Sequence, residues 1–139
     1  MRTKEELCAF FADDRFALEV CGITIDHVDE EYAQCSMPIT PMHLNAGGVA
    51  QGGAVYTLCD TTFAVAANAR GVLTVSQNAA IHYLRPATGS RLRAQARCIG
   101  GGRATCLYRV DVWDDRERLV AFATVTGFRK SAPAQDERP

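Results

Sequence analysis

At 139 residues the chain has the length of one domain with room for a real core. Hydrophobic content of 47% and charged content of 22% are those of an ordinary globular protein, no apolar run reaches membrane-spanning length, and the N-terminus lacks the apolar stretch of a signal peptide, so a cytoplasmic protein is expected. The net charge of −1 conceals an asymmetry: residues 1–60 hold ten acids and three bases, whereas residues 61–110 hold seven arginines and no acid. Such a block either meets a polyanionic ligand or pairs with the acidic first half. Nucleic acid fits poorly, because no aromatic residues are interleaved with the basic ones for base stacking.

The elements follow in chain order. Thr3-Lys4-Glu5-Glu6 carries the capping-box pattern and predicts a short helix over 3–11. A second helical segment is expected over 14–20, closed by Gly22. A strand with Ile23 and Ile25 turns at Asp29-Glu30-Glu31, resumes over 32–39 and ends at Pro38 and Pro41. After a loop over 40–51, a long alanine-rich helix is predicted over 52–69. It is apolar on most faces and therefore buried, and Arg70-Gly71 stops it. Four extended runs come next, over 72–84, 91–99, 104–113 and 119–128. In the second, Leu92, Ala94, Ala96 and Cys98 alternate with Arg91, Arg93, Gln95 and Arg97. Short links between the runs predict an antiparallel meander. The chain thus reads as an α+β fold in which an antiparallel sheet wraps one long central helix. A single domain over 1–130 is expected, with a disordered polar tail over 131–139.

The six cysteines show neither CxxC nor zinc-finger spacing, and read as reduced core residues. His27, His43 and His82 stand apart with no HxxxH pair, so no metal site is expected. His43, in the loop, reads as solvated or as lining a pocket. Cys59 has no histidine placed to activate it and reads as core.

Chemistry concentrates in the segment from Asn45 to Asp60, a glycine-rich loop that feeds straight into the long helix. Gly52 and Gly53 open that helix, where the first N–H groups have no intrahelical acceptor and the helix dipole favours a negative oxygen. With the Gln51 side-chain amide beside them, they form a candidate oxyanion hole. The segment lacks the Gly-Lys-Ser/Thr ending of a P-loop and the preceding strand of a dinucleotide-binding turn.

Asp60 is the single acid in that apolar helix. It shares a face of little bulk with Gly53, Tyr56 or Thr57, Ala64 and Ala67, and burial would raise its pKa toward that of a general base. The alternative is a structural acid held by Thr57, Thr61 or an arginine. Asp60 lies eight residues beyond Gly52, roughly 12 Å along one helix. The two cannot serve one carbonyl within a subunit, but two helices packed antiparallel about a two-fold axis can join them across a homodimer.

Asn45, Gly52-Gly53, Asp60-Thr61-Thr62-Phe63-Ala64, Arg70-Gly71, Tyr83-Leu84-Arg85-Pro86 and the turn 100–103 together resemble the hotdog-fold acyl-CoA thioesterases, especially the phenylacetate-degradation type, over residues 14–130. The resemblance implies hydrolysis of an acyl-CoA thioester, with coenzyme A as part of the substrate and no separate cofactor. It implies Asp60 as nucleophile or base for water, the Gly52 amide of the partner subunit polarising the carbonyl, and Asn45 orienting water or carbonyl. Gly53 and Ser76 would contact substrate, and Arg85 and Arg103 would meet the phosphates of coenzyme A. It further implies a homotetramer built as a dimer of dimers. The family's histidine before Gly-Gly is Gln51 here, which can donate a hydrogen bond but cannot titrate. A non-catalytic acyl-CoA-binding protein and a hotdog dehydratase or hydratase are the competing readings, and the acyl group is not specified by the sequence.

Overall fold

The Thr3 capping box forms as its pattern predicts. Its Oγ1 accepts from the Glu6 N–H at 3.2 Å and Glu6 Oε2 accepts from the Thr3 N–H at 2.7 Å, opening helix α1, Lys4–Phe11. The computed structural model describes residues 1–133. Asp14 Oδ1 accepts from the Ala17 N–H at 3.1 Å and starts the second helical segment, which is a π-turn, Phe16–Val20. Strands β1, Thr24–Asp29, and β2, Tyr32–Pro38, pair antiparallel. Helix α2 then runs Gly52–Asn68, followed by β3, Val72–Tyr83, β4, Arg91–Gly101, β5, Thr105–Trp113, and β6, Leu119–Pro133.

The sheet order is β1-β2-β4-β5-β6-β3, which corrects the expected four-strand meander. β4, β5 and β6 are consecutive neighbours, but β3 stands beyond β6 at the far edge. Helix α2 carries the chain from β2 to the opposite edge, and the seven-residue link 84–90 brings it back to β4 beside β2. Three inter-strand gaps amount to about 14 Å, and an extended link of that length reaches about 23 Å. A short link therefore does not force adjacency. β6 also runs five residues past its expected end at Phe128, because the start of β3 captures it in the pair Val72–Pro133. Of the expected tail, 131–133 are strand, and 134–139 lie outside the described residues.

Helix α2 lies on one face of the sheet, with Val55, Leu58, Cys59, Phe63, Val65 and Ala66 buried. Phe63 meets Tyr108 edge-on at 5.4 Å between centroids. Gly127 permits this approach: a Cβ there would stand 2.9 Å from the Phe63 ring and 2.8 Å from Cys106 Sγ. Cys21, Cys35, Cys59 and Cys106 are buried as expected, but Cys8 is exposed and Cys98 only half-buried, so two of the six lie outside the core.

The arginine block resolves locally. Among the described residues, Arg70 alone of the block pairs with an acid of the first half, reaching Glu30 at 2.8 Å and Glu31 at 2.9 Å. Arg93 pairs with Glu117, and Arg97 and Arg109 both grip buried Asp111. Arg91 is tied to Ser36. Among the described residues, no ion pair holds Arg85 or Arg103. Among the described residues no helix is long and apolar enough to cross a membrane.

Candidate active site

The loop before α2 is built by its own side chains. Asn45 Oδ1 accepts from the N–H of Gly47 at 2.9 Å and of Val49 at 3.2 Å, closing a tight turn. Its Nδ2 protons remain for other partners. Gln51 is the N-cap of α2, with Oε1 accepting from the Ala54 N–H at 3.2 Å, so its Nε2 points away as the free donor. Partners hold the amides of Ala54 and Val55, on the Gln51 carbonyl at 2.9 and 3.2 Å. Among the described residues, none holds the amides of Gly52 and Gly53, which are the open donors a helix start leaves.

His43 is not solvated, contrary to one of the two expectations for it, but 7% exposed. Its Nδ1 accepts from the Thr40 N–H at 3.1 Å and its Nε2–H donates to the Cys21 carbonyl at 2.7 Å. Both ring nitrogens are thus engaged in one neutral tautomer. The His43 carbonyl in turn accepts from the Gln51 N–H at 2.8 Å. One buried side chain therefore ties the site loop to the π-turn. The signal was present in Thr40-Pro41-Met42-His43, an N-cap followed by proline at the first helical position, with histidine where a capping box carries Glu or Gln.

Tyr83 was named in sequence only as part of the strand exit. Its hydroxyl donates to the Gly52 carbonyl at 2.8 Å. A Cβ on Gly52 would stand 3.1 Å from the Tyr83 ring, so the glycine lets the ring press on the first peptide of the helix.

Asp60 is half-buried, one turn beyond Thr57 on the face that starts at Gly53. Burial pushes its carboxyl above the ordinary aspartate range. The Ser76 hydroxyl, as a hydrogen-bond partner, pulls it back, and the nearby Asp14 carboxylate raises it further. The Thr57 hydroxyl donates instead to the Gly53 carbonyl at 2.8 Å, and among the described residues no arginine pairs with Asp60. The holders proposed for a purely structural acid are therefore not the ones found.

Ser76 reaches Asp60 through a β-bulge. The register of β3 against β6 slips between Ser76 and Asn78. Thr74 and Ser76 before the slip, and Ala79, Ile81 and Tyr83 after it, then share the helix side. β3 consequently runs beside α2 from Thr74, bonded to Asn68, past Ser76 at Asp60, to Tyr83 at Gly52.

Two cavities flank the helix start. One, of about 410 Å³, is lined by Asn45, Gly52, Tyr83 and Arg85 among others. The other, of about 560 Å³, is lined by Gln51, Gly53, Ala54 and Thr57 with Phe16, Val20, Met42 and Leu44. The structure thus gathers Asn45, Gln51, Gly52, Gly53 and Arg85 at one end of α2, with Asp60 and Ser76 two turns further on. Arg103 lies elsewhere. It sits in the β4–β5 turn next to Thr105, which pairs with Phe128 and through it with Val75, at the end of β3 opposite Tyr83.

A six-stranded antiparallel sheet around one central helix, with a glycine-rich helix start and a lone acid behind it, defines a hotdog-fold thioesterase. The profile of the thioesterase superfamily matches residues 47–121, and the chain belongs to that family. It is 32% identical over 115 residues to the acyl-coenzyme A thioesterase PaaI of Escherichia coli, covering 82% of this chain and 81% of that protein. The E. coli PaaI structure, from the phenylacetic acid degradation operon, superimposes with a TM-score of 0.87 at 26% identity, over 94% of this chain and 95% of that one. A Streptococcus pneumoniae thioesterase protein solved with coenzyme A does so with a TM-score of 0.81 at 25% identity, over 89% and 99%.

Proposed function

We propose that the protein hydrolyses acyl-CoA thioesters as a homodimer, with each of two equivalent sites drawn from both subunits. The carbonyl oxygen of the thioester is held by the Gly52 N–H of one subunit, with Asn45 Nδ2 and Gln51 Nε2 as neighbouring donors. Asp60 of the other subunit supplies the carboxylate, which attacks the carbonyl carbon or draws a proton from the attacking water, and Ser76 orients it. The tetrahedral oxyanion collapses and expels the coenzyme A thiolate. In the water route the proton that Asp60 took passes to the thiolate. In the direct route water then cleaves the Asp60–acyl anhydride, releasing the acid, restoring the carboxylate and supplying the proton of the thiol.

The observation that carries this reading is the lone, half-buried Asp60 whose carboxyl burial raises, about 12 Å along α2 from the open amide of Gly52. β3 supports the dimer. It is an edge strand twelve residues long without a charged side chain, and pairing it antiparallel with its own copy lays the Ser76 end of one beside the Tyr83 end of the other. Asp60 then faces the partner's Gly52, and Arg103 approaches the partner's Arg85, two unpaired cations for the phosphates of coenzyme A. Pairing of dimers into a tetramer belongs to the same reading and is checked by sedimentation.

Subunit complementation tests it. Asp60→Ala removes the carboxylate. Gly52→Pro removes one N–H behind a Gln51 already at φ −63°, ψ 137°. Because its Cβ stands 3.1 Å from the Tyr83 ring, which must give way, a melting curve accompanies it. Each variant alone is expected to release no thiol from acyl-CoA. Dimers refolded from an equal mixture carry one intact site in half of the molecules and recover about a quarter of wild-type turnover. No recovery from folded, mixed dimers would show that each site lies within one chain. Binding of acyl-CoA by the wild type without thiol release would establish the non-catalytic reading instead.

A further inference from the structure

We propose that the 560 Å³ cavity on the π-turn side of the helix start is the acyl subsite, built for an apolar chain of medium length, and that the Arg85 side receives the coenzyme A end; this rests on the thioesterase reading above. The two cavities meet at the open amides, Gly52 lining one and Gly53 the other. A thioester whose carbonyl sits on those amides extends one end into each. The ends differ sharply in chemistry, one a polyanion and the other a hydrocarbon.

The cavities differ in the same way. The first holds Arg85, a guanidinium without an ion pair among the described residues, beside Asn45 and Tyr83. The second is walled by Phe16, Val20, Met42 and Leu44, left 60%, 67%, 91% and 40% exposed. Its polar members turn their polarity inward. The Thr57 hydroxyl donates to the Gly53 carbonyl, His43 is bonded through both ring nitrogens, and Gln51 Oε1 is engaged by Ala54. Apart from the open Gly53 amide and Gln51 Nε2, the lining is hydrocarbon, in a volume within the range that drug-sized apolar groups fill. An acetyl group would leave most of it empty. A phosphate placed there would lose its hydration without gaining a cation.

His43 and the π-turn fix this wall. The turn places Phe16 and Val20 four residues apart on one side, and the His43–Cys21 bond fastens the turn to the loop that bears Met42 and Leu44.

Thiol release from acetyl-, butyryl-, hexanoyl- and octanoyl-CoA tests the assignment. In the wild type kcat/KM is expected to rise about fourfold per added methylene until the cavity is full. Ala54→Leu, which narrows the cavity with a good helix former, should lower the octanoyl-to-acetyl ratio of kcat/KM about tenfold. Phe16→Ala removes an exposed wall and should flatten the rise. Melting curves and inhibition by free coenzyme A, both expected to be unchanged, show that the variants fold and still bind the other end. A flat chain-length profile in an active wild type, or variants that scale all four esters equally, overturns the subsite and leaves the thioesterase reading standing. Absence of thiol release with every ester overturns both.

Discussion

The two edges of the sheet are built on opposite principles. β1 has six residues, carries Asp26 and Asp29, and is broken by a bulge between Ile25 and His27. Shortness, charge and irregularity are the devices that keep a sheet edge from pairing with another chain. β3 has twelve residues and no charge, with Val72, Val75 and Tyr83 exposed along it. Its bulge serves a different end, turning Ser76 toward Asp60. A strand left so open beside a helix face that bears the lone acid is the edge on which the proposed two-subunit site depends, and β1 shows the same sheet closing its other edge.

The largest effect is expected from making β3 resemble β1. Asn78→Lys together with Ala80→Lys puts four cations on a two-fold pairing of β3 with its copy, where like charges oppose each other across strands. Gel filtration should shift to the monomer mass and thiol release should fall to background, because each site loses its second half. His27→Lys on β1 is expected to alter neither. A monomeric double variant with full turnover would sink the two-subunit site.

Much of this contrast was legible in sequence, and the missing parts have physical causes. The start of α2, its glycines and Asp60 were visible because a long alanine-rich run, apolar on most faces, follows directly on a glycine-rich loop, and a lone acid stands out within it. The strand character of β4 was visible in the alternation of Leu92 to Cys98, and the antiparallel pairing of β4, β5 and β6 in the short links between them. The position of β3 was not, since link length constrains reach rather than adjacency. The role of Ser76 was hidden too. A strict two-residue period puts it with Asn78, Ala80 and His82, and only the bulge moves Ala79, Ile81 and Tyr83 to its side. Of the two readings of His43, the pocket-lining one holds and the solvated one fails, because burial depends on what covers a loop, here the π-turn with its Cys21 carbonyl.

A second prediction separates what Asp60 does for turnover from what it does to stability. Its carboxyl titrates above the aspartate range in the folded chain, chiefly through burial. Ionising it therefore costs the fold stability: the cost is absent below the unfolded value of about 4 and complete above the raised folded value. Asp60→Asn should lower kcat about a thousandfold and yet raise Tm at about pH 8, with the gain gone at about pH 3. In the wild type the acid limb of kcat/KM should lie above the aspartate range. Ser76→Ala should move it higher by removing the bond that opposes the shift, and Asp14→Asn should move it lower. A limb unmoved by either change would mean that a different group titrates in the reaction.

The smallest effect is expected at the other end of α2, where the open edge touches the oxyanion donor. Tyr83 leaves β3 with its hydroxyl on the Gly52 carbonyl and its ring against the Gly52 Cα. It never needs to meet substrate to matter, because its hydroxyl fixes the peptide plane that carries the Gly53 N–H, and its ring against the Gly52 Cα holds the residue whose own N–H is the proposed donor. Tyr83→Phe keeps the ring and removes one neutral hydrogen bond, of about 1 kcal/mol. It should lower kcat about fivefold to tenfold with KM for acyl-CoA unchanged, since the loss falls on the charge that develops in the transition state rather than on ground-state binding. A rise in KM at constant kcat would instead assign Tyr83 to holding the coenzyme A end beside Arg85. That result would leave Gly52 positioned by the Gln51 cap and the His43 carbonyl alone.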